Sequence, residues 1–549
     1  MVASNGTAKG NALRLGSALP SSRTIILGVA GASFVLVCVV PILYMLGVSF
    51  ISADGLFTFE NYRLLLLDAR QRELLGRSTL LGVGTALLAT AIGAPLGLLF
   101  ARADLPLKRM LRILLVIPLV VPPYVLALSW ILVTGSTGFL ASLIGGSFLS
   151  AWTYSLTGAI LVLGTCLYPL SMLATEAGAR RVNGRLEEAA LLVASPRRVL
   201  WRITLPLIAP TVAAAALIIF VLALAEFGVP GLLRVRVFTT EVFTAFSALY
   251  NFGAATALAV PLLAVALIVG IIAKLITGER LLAARRNLHP GFILRLGRWR
   301  AVVLGLLAII LTVTVILPLV TLAVEAGKPE RITSALRASG DAIHNSLSLA
   351  AIGATLVVVL AAFLGYGRAR SDARLRGLVE LLFITIFAVP STVVGVGLIG
   401  LWNRPGLLGA IYTSQIIVVI AYLARFVPVA SLMLAASVRQ IPVSVEEAAE
   451  VGGASWWRTF MRIVLPQMRA GLISAWVVSF IFCFGELGAT LLVGPPGEST
   501  LPVRVYTIIA NTPSSEVAAL ALLQAGVVLV PLVILGLSVR GNPTKASGA

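Results

Sequence analysis

The chain has 549 residues, 59% of them hydrophobic and only 12% charged, with a formal net charge of +20. Soluble domains carry about 25% charged residues, so this composition excludes a soluble fold, and repeated uncharged apolar runs of roughly 18 residues or more predict an all-α membrane protein with lipid as a partner. The basic excess fits loops on one side of a membrane, so no nucleic-acid partner is expected, and Cys38, Cys166 and Cys483, scattered in apolar runs, with only His289 and His344, predict neither a disulfide framework nor a metal site.

In chain order, residues 1–23 are a polar tail. The apolar run Ile25–Phe50 is too long for the core of a cleavable signal and reads as a first span. Spans are expected near 24–50, 77–101, 111–134, 155–176, 207–227 and 254–275, which makes a first half over 24–277. A basic linker, 278–300, leads to spans near 301–324, 345–367, 377–401, 409–437, 471–491 and 514–539. The second half is thus 301–540, followed by a short tail, 541–549. Alternate loops are basic: Arg102, Lys108, Arg109 and Arg112 after the second span, and Arg368, Arg370, Arg374 and Arg376 after the eighth. This bias places those loops and both termini in the cytoplasm.

The halves read as repeats. Arg102 and Arg370 are separated by the same interval as Pro122 and Pro390. Pro206 and Pro466, Glu226 and Glu486, and Gly228 and Gly488 share a slightly shorter one. The shift fits a small insertion near 134–155 in the first half. Six spans return the chain to its starting side, so the repeats are parallel.

Two loops expected inside, 178–206 and 438–466, carry one pattern. The second runs Glu446-Glu447-Ala448-Ala449, then Gly453, then Ile463-Val464-Leu465-Pro466. It reads as two short helices joined at Gly452-Gly453, where a tight turn needs positive φ. Trp456, Trp457, Phe460 and Met461 form an apolar face on the second helix, and Pro466 permits a sharp entry into the next span. An interfacial helix lying on the membrane would account for the loop equally well. The first copy has Glu187-Glu188-Ala189-Ala190 and Ile203-Thr204-Leu205-Pro206 but is one residue shorter and has no glycine; Pro196 is the candidate for its turn.

With both copies, the chain resembles the permease subunits of binding-protein-dependent ABC importers of the type I fold. That resemblance implies about twelve transmembrane helices as two parallel six-helix repeats in the bacterial inner membrane. It implies ATPase docking through Glu188, Ala189, Ala190, Leu205 and Pro206 and through Glu447, Ala448, Ala449, Gly453, Leu465 and Pro466. None of the five lysines, Lys9, Lys108, Lys274, Lys328 and Lys545, precedes Ser or Thr. The chain therefore has no phosphate-cradling Gly-Lys-Ser/Thr loop. ATP and magnesium are expected on a partner: two copies of a cytoplasmic ABC ATPase, with one periplasmic binding protein supplying substrate.

Ala225-Glu226-Phe227-Gly228-Val229-Pro230-Gly231 and Gly485-Glu486-Leu487-Gly488-Ala489-Thr490, with the segments after them, most resemble the fused ferric-iron permeases. Permeases for thiamine, polyamines or aminoethylphosphonate share the architecture. Glu226 and Glu486 lie about 30 Å along a helix from their Leu-Pro pairs. They are candidates to flank the outer mouth of a pathway for a hard cation, or else charges that close helix ends. Arg425, within the tenth span, is a further candidate pathway residue; it could equally pair with Glu380 or reach the interface. The rival class is a secondary transporter of the major facilitator type, which has the same span count but no reason to duplicate a docking loop.

Overall fold

The computed structural model describes residues 22–51, 56–59, 62–63, 68–136, 138, 140, 146–249, 252–277 and 291–538. The expected N-terminal tail up to residue 21, the linker up to 290 and the tail from 539 lie outside them. Among the described residues there are helices and isolated bridges but no strand. Among the described residues nine helices are long and apolar enough to cross a membrane, and counting each of three bent pairs as one span brings the number to twelve. We number the spans 1 to 12 in chain order.

Span 1 is Ser22–Val48, span 2 Ala69–Arg102, span 4 Leu156–Arg181, span 5 Pro196–Ala225 and span 6 Phe252–Thr277. In the second half, span 7 is Trp299–Ala326, span 8 Gly340–Ala369, span 10 Ile416–Val438 and span 12 Ser514–Ser538. Spans 3 and 9, expected at 111–134 and 377–401, are each broken into two helices. Span 3 is Lys108–Val120 plus Pro123–Thr134, bent by 93°, and span 9 is Arg374–Ala388 plus Ser391–Trp402, bent by 95°. The cause is local. Proline has no N–H and disfavours the helical region for the residue before it. Val121 before Pro122 has φ −68° and ψ 130°, and Val389 before Pro390 has φ −66° and ψ 129°. Span 11 is Trp456–Gln467 plus Arg469–Phe484, bent by 74°. It begins earlier than the expected 471 and stops at Gly485, short of the expected 491.

Four π-helical turns recur in matching places: Val35–Val39 and Thr312–Ile316, then Leu200–Thr204 and Phe460–Val464. Each is followed by a proline: Pro41, Pro318, Pro206 and Pro466. The proline ring displaces the carbonyl one turn back, and the residue before each proline donates five residues back instead, as Leu205 N does to Leu200 O. The helix therefore passes through Pro206 unbroken, and the second-half bend falls at Met468, past Pro466. The sharp entry expected at Pro466 is displaced by that relief.

Spans 2, 4 and 5 pack into the centre of the first half, and spans 8, 10 and 11 into that of the second. Small residues allow the closest approach: a Cβ on Gly97 would lie 2.4 Å from Met172 O. The leading spans are exchanged. Span 1 lies against spans 8, 9 and 10, and span 7 against span 3 and span 12. Cys38 Sγ in span 1 donates to Leu423 O (3.6 Å), while Tyr168 and Thr314 pair their hydroxyls at 3.3 Å between spans 4 and 7.

Candidate docking loops and central cavity

The first loop holds a helix over Gly184–Leu191, capped by Asn183 Oδ1, which accepts from Arg185 N (3.1 Å). The second holds Val443–Val451 after Pro442. Each helix turns one glutamate inward and the next outward. Glu187 is fully buried; its Oε1 accepts from Arg102 Nε (3.2 Å) and from Thr204 Oγ1 (2.7 Å), and Arg102 Nη2 lies 3.1 Å from its Oε2 in an ion pair. Arg102 also donates to Ala179 O (2.6 Å). Glu446 repeats this with Arg370 (Nε, 2.9 Å), and Arg370 donates to Ile441 O (3.0 Å). Its hydroxyl donor comes from a different place, Tyr366 on span 8 (2.7 Å), which itself accepts from Trp456 Nε1 (3.1 Å). Charge-assisted bonds in dry surroundings are strong, so each loop is pinned to the end of the second span of its half.

Sequence reasoning singled out Glu188 and Glu447 and missed Glu187 and Glu446. Glu188, Ala189, Glu447 and Ala448 are exposed, Ala190 and Ala449 half-buried. Leu205 and Leu465 are half-buried, Pro206 and Pro466 exposed. The expected apolar face on the second loop turns partly inward: Phe460 is buried and stacks on Trp456 and Phe363, and only Trp457 stays open.

The loops close differently. In the second, Gly453 has φ +79°; its N–H donates to Glu450 O (2.9 Å) and Ala454 N to Ala449 O (3.0 Å). These two bonds are a Schellman cap, which requires the left-handed glycine. In the first, Val193 N and Ala194 N both reach Ala190 O (3.2 and 2.9 Å), and no residue there has positive φ. The tighter turn needs neither the glycine nor the extra residue. Pro196 does not make it; Pro196 opens the next helix, Pro196–Val199. At the tips, Leu192 and Val193 are each 86% exposed and Val451 90%.

Glu226 and Glu486 sit where span 5 and span 11 end. Glu226 Oε1 accepts from Gly228 N (2.9 Å) and Glu486 Oε1 from Ala489 N (2.9 Å). Each thus closes the start of a short helix, Gly228–Leu232 or Gly488–Val493. Beyond these, Ser78 Oγ accepts from Phe238 N (2.9 Å) and Ser346 Oγ from Leu501 N (2.6 Å), a matched tie from the second span of each half. Both glutamates line one cavity of about 350 Å³ between the halves, with Arg425, Tyr124, Phe387 and Phe426. Arg425 Nε lies 3.3 Å from Glu486 Oε2. Its expected alternative, Glu380, pairs with Arg368 instead (2.6 Å). Tyr124 donates to Gln524 in span 12, and Gln524 Nε2 donates to Phe484 O (3.4 Å), which ties the cavity wall across the halves. Among the described residues no group of three or more His, Cys, Asp or Glu side chains is placed to hold a metal.

The family described as binding-protein-dependent transport system inner membrane component matches residues 93–280 and again 357–541. The chain is 25% identical to the Fe(3+)-transport system permease protein FbpB 2 of Haemophilus influenzae, over 80% of this chain and 85% of that one. It is 26% identical to that organism's putative ferric transport system permease protein FbpB 1, over 72% of this chain and 65% of the relative. It is 30% identical to the molybdenum transport system permease protein ModB of Mycobacterium bovis, over 42% of this chain and 90% of that one.

Proposed function

The chain belongs to the family of binding-protein-dependent transport system inner membrane components, and from that premise we propose that it is the fused, two-half permease of an ATP-driven importer of ferric iron. The observation that carries the importer reading is the pair of docking loops. Each presents an exposed Glu-Ala pair and bare apolar tips at Leu192, Val193 and Val451, while an arginine–glutamate pair fixes its base. Exposed apolar groups on pinned loops suit a protein partner. The partner is a separate cytoplasmic ATPase, one copy at each loop, with its own ATP and magnesium. A periplasmic binding protein delivers substrate to the opposite side. Both termini and the docking loops are cytoplasmic, in an inner membrane.

In this reading the chain performs no hydrolysis. Pinned loops move as one body with spans 2 and 8, so a shift of the ATPase reaches the bent spans and the cavity. Glu226 and Glu486 with Arg425 leave the cavity one net negative charge when all three are ionised, which favours a cation of oxygen-loving character. The match to a ferric permease along most of both chains supports iron; the molybdenum relative matches less than half of this chain.

Proteoliposomes holding the chain, its ATPase and its binding protein test the proposal. ATP-dependent uptake of iron delivered by the ferric-loaded binding protein is expected. Uptake of molybdate, thiamine, a polyamine or aminoethylphosphonate in its place would overturn the iron reading. Transport driven by an ion gradient without ATP would overturn the importer reading.

A further inference from the structure

The segment after span 5 carries a backbone outlier. The short helix Gly228–Leu232 ends with Arg234 N donating to Gly231 O (3.3 Å) and Val235 N to Pro230 O (2.9 Å). This nested pair is a Schellman cap, whose turning residue lies in the left-handed region and is usually glycine. Here it is Arg234, at φ +55°. A side chain in that region is strained where glycine would not be. Strain of this kind persists where the surroundings hold it and the residue has a task.

What Arg234 gains is its position. With Arg70 and Arg236 it rims a pocket of about 350 Å³, walled by Phe227, Glu241 and Tyr506. Arg70 is neutralised by Glu241 Oε1 (2.6 Å). The Arg234 guanidinium lies 5.9 Å from the centre of the Tyr154 ring. Arg234 and Arg236 are both exposed, and among the described residues neither is in an ion pair. Tyr506 comes from the second half: its ring lies 5.8 Å from that of Phe227, and a Cβ on Gly231 would lie 3.0 Å from its hydroxyl. The pocket therefore sits on the seam between the halves, at the end of span 5 opposite the first docking loop. Phe227 lines both this pocket and the central cavity.

The second half does not repeat it. The matched short helices end at Leu232 and Val493, and the matched serine ties fall on Phe238 and Leu501. Between those points the first half runs Leu233-Arg234-Val235-Arg236-Val237 and the second Gly494-Pro495-Pro496-Gly497-Glu498-Ser499-Thr500. Two exposed cations in one segment correspond to one exposed anion, Glu498, in the other. At this position the face opposite the docking loops is positive on one half and negative on the other.

We infer, resting on the importer reading above, that the pocket at Arg234 and Arg236 receives a carboxylate side chain of the periplasmic binding protein and orients that protein across the two halves. An entering carboxylate meets two guanidinium groups beside the rings of Phe227 and Tyr506, where charge-assisted bonds are stronger than in open water. Opposite signs at matched positions of the two halves reject the reversed orientation, since like charges would then meet. The place of the pocket beside the central cavity suits a partner that delivers cargo there. The strained cap aims Arg234 at this contact.

The full chain with its ATPase in lipid nanodiscs tests this through the binding-protein concentration that half-maximally stimulates ATP hydrolysis. Arg236→Glu should raise that concentration about tenfold and flatten its dependence on salt. Arg234→Gly should raise it as well, while the melting temperature of the purified chain holds or climbs, because glycine relieves the left-handed residue. A fall in melting temperature in Arg234→Gly would make the arginine a structural residue and counts against the inference. A wild-type complex that the binding protein does not stimulate removes the importer reading and this inference with it. Normal stimulation with an unchanged half-maximal concentration in both variants overturns this inference alone. An effect of the substitutions that follows the phosphatidylglycerol content of the nanodisc, and not the binding protein, assigns the pocket to a lipid headgroup and also overturns it.

Discussion

Arg102 and Arg370 each hold a glutamate that has left water. Removing one partner of a buried pair costs about 3–5 kcal/mol, whereas replacing both by apolar groups of similar volume is often neutral. Arg102→Ala should therefore lower the unfolding temperature in detergent markedly, and Arg102→Met with Glu187→Leu should recover most of the loss. A single variant as stable as the wild type would mean that the pair is not fully desolvated. The repeat of the two arginines was visible in the sequence, but their partners were not. Adjacent glutamates in Glu187-Glu188 and Glu446-Glu447 look alike until the helix phase against the rest of the half is known. The same limit applies to Glu226 and Glu486: their matched positions were legible, their bonds to Gly228 N and Ala489 N were not.

Helical spans follow from apolar length: the twelve apolar stretches of the sequence correspond, among the described residues, to nine long helices and three bent pairs. Direction does not, because hydropathy is blind to a right-angle bend. Proline disfavours the helical region for the residue before it, but Val-Pro alone did not mark the bends: Val121 and Val389 are extended, whereas Val40 before Pro41 is helical and Val427-Pro428 lies inside span 10. The missing glycine of the first docking loop also has a local reason: a turn that returns to Ala190 O makes no use of positive φ. Close packing of spans 2 and 4 makes a further prediction. Gly97→Val places a branched side chain against Met172 O and Thr175, which overpacks the contact by about 1–3 kcal/mol. Thermal unfolding of the purified chain should show that loss, and an unchanged transition would mean that the two helices separate freely.

The exchange of spans 1 and 7 makes each half depend on the other, although each half is a complete repeat in sequence. Residues 1–277 and 278–549 expressed as two chains should copurify through detergent extraction; halves that separate would contradict the exchanged packing. Across the whole molecule, two pinned loops lie at one end of the halves and a shared cavity lies between them, so coupling is the central claim. The most direct test is binding-protein-stimulated ATP hydrolysis by the reconstituted complex carrying Glu447→Arg and Val451→Asp. Both side chains are exposed, so each substitution should change the chain's own stability by no more than about 0.5 kcal/mol. The account predicts that stimulation falls to the basal rate and the ATPase dissociates more readily. Full stimulation with the ATPase still bound would contradict it.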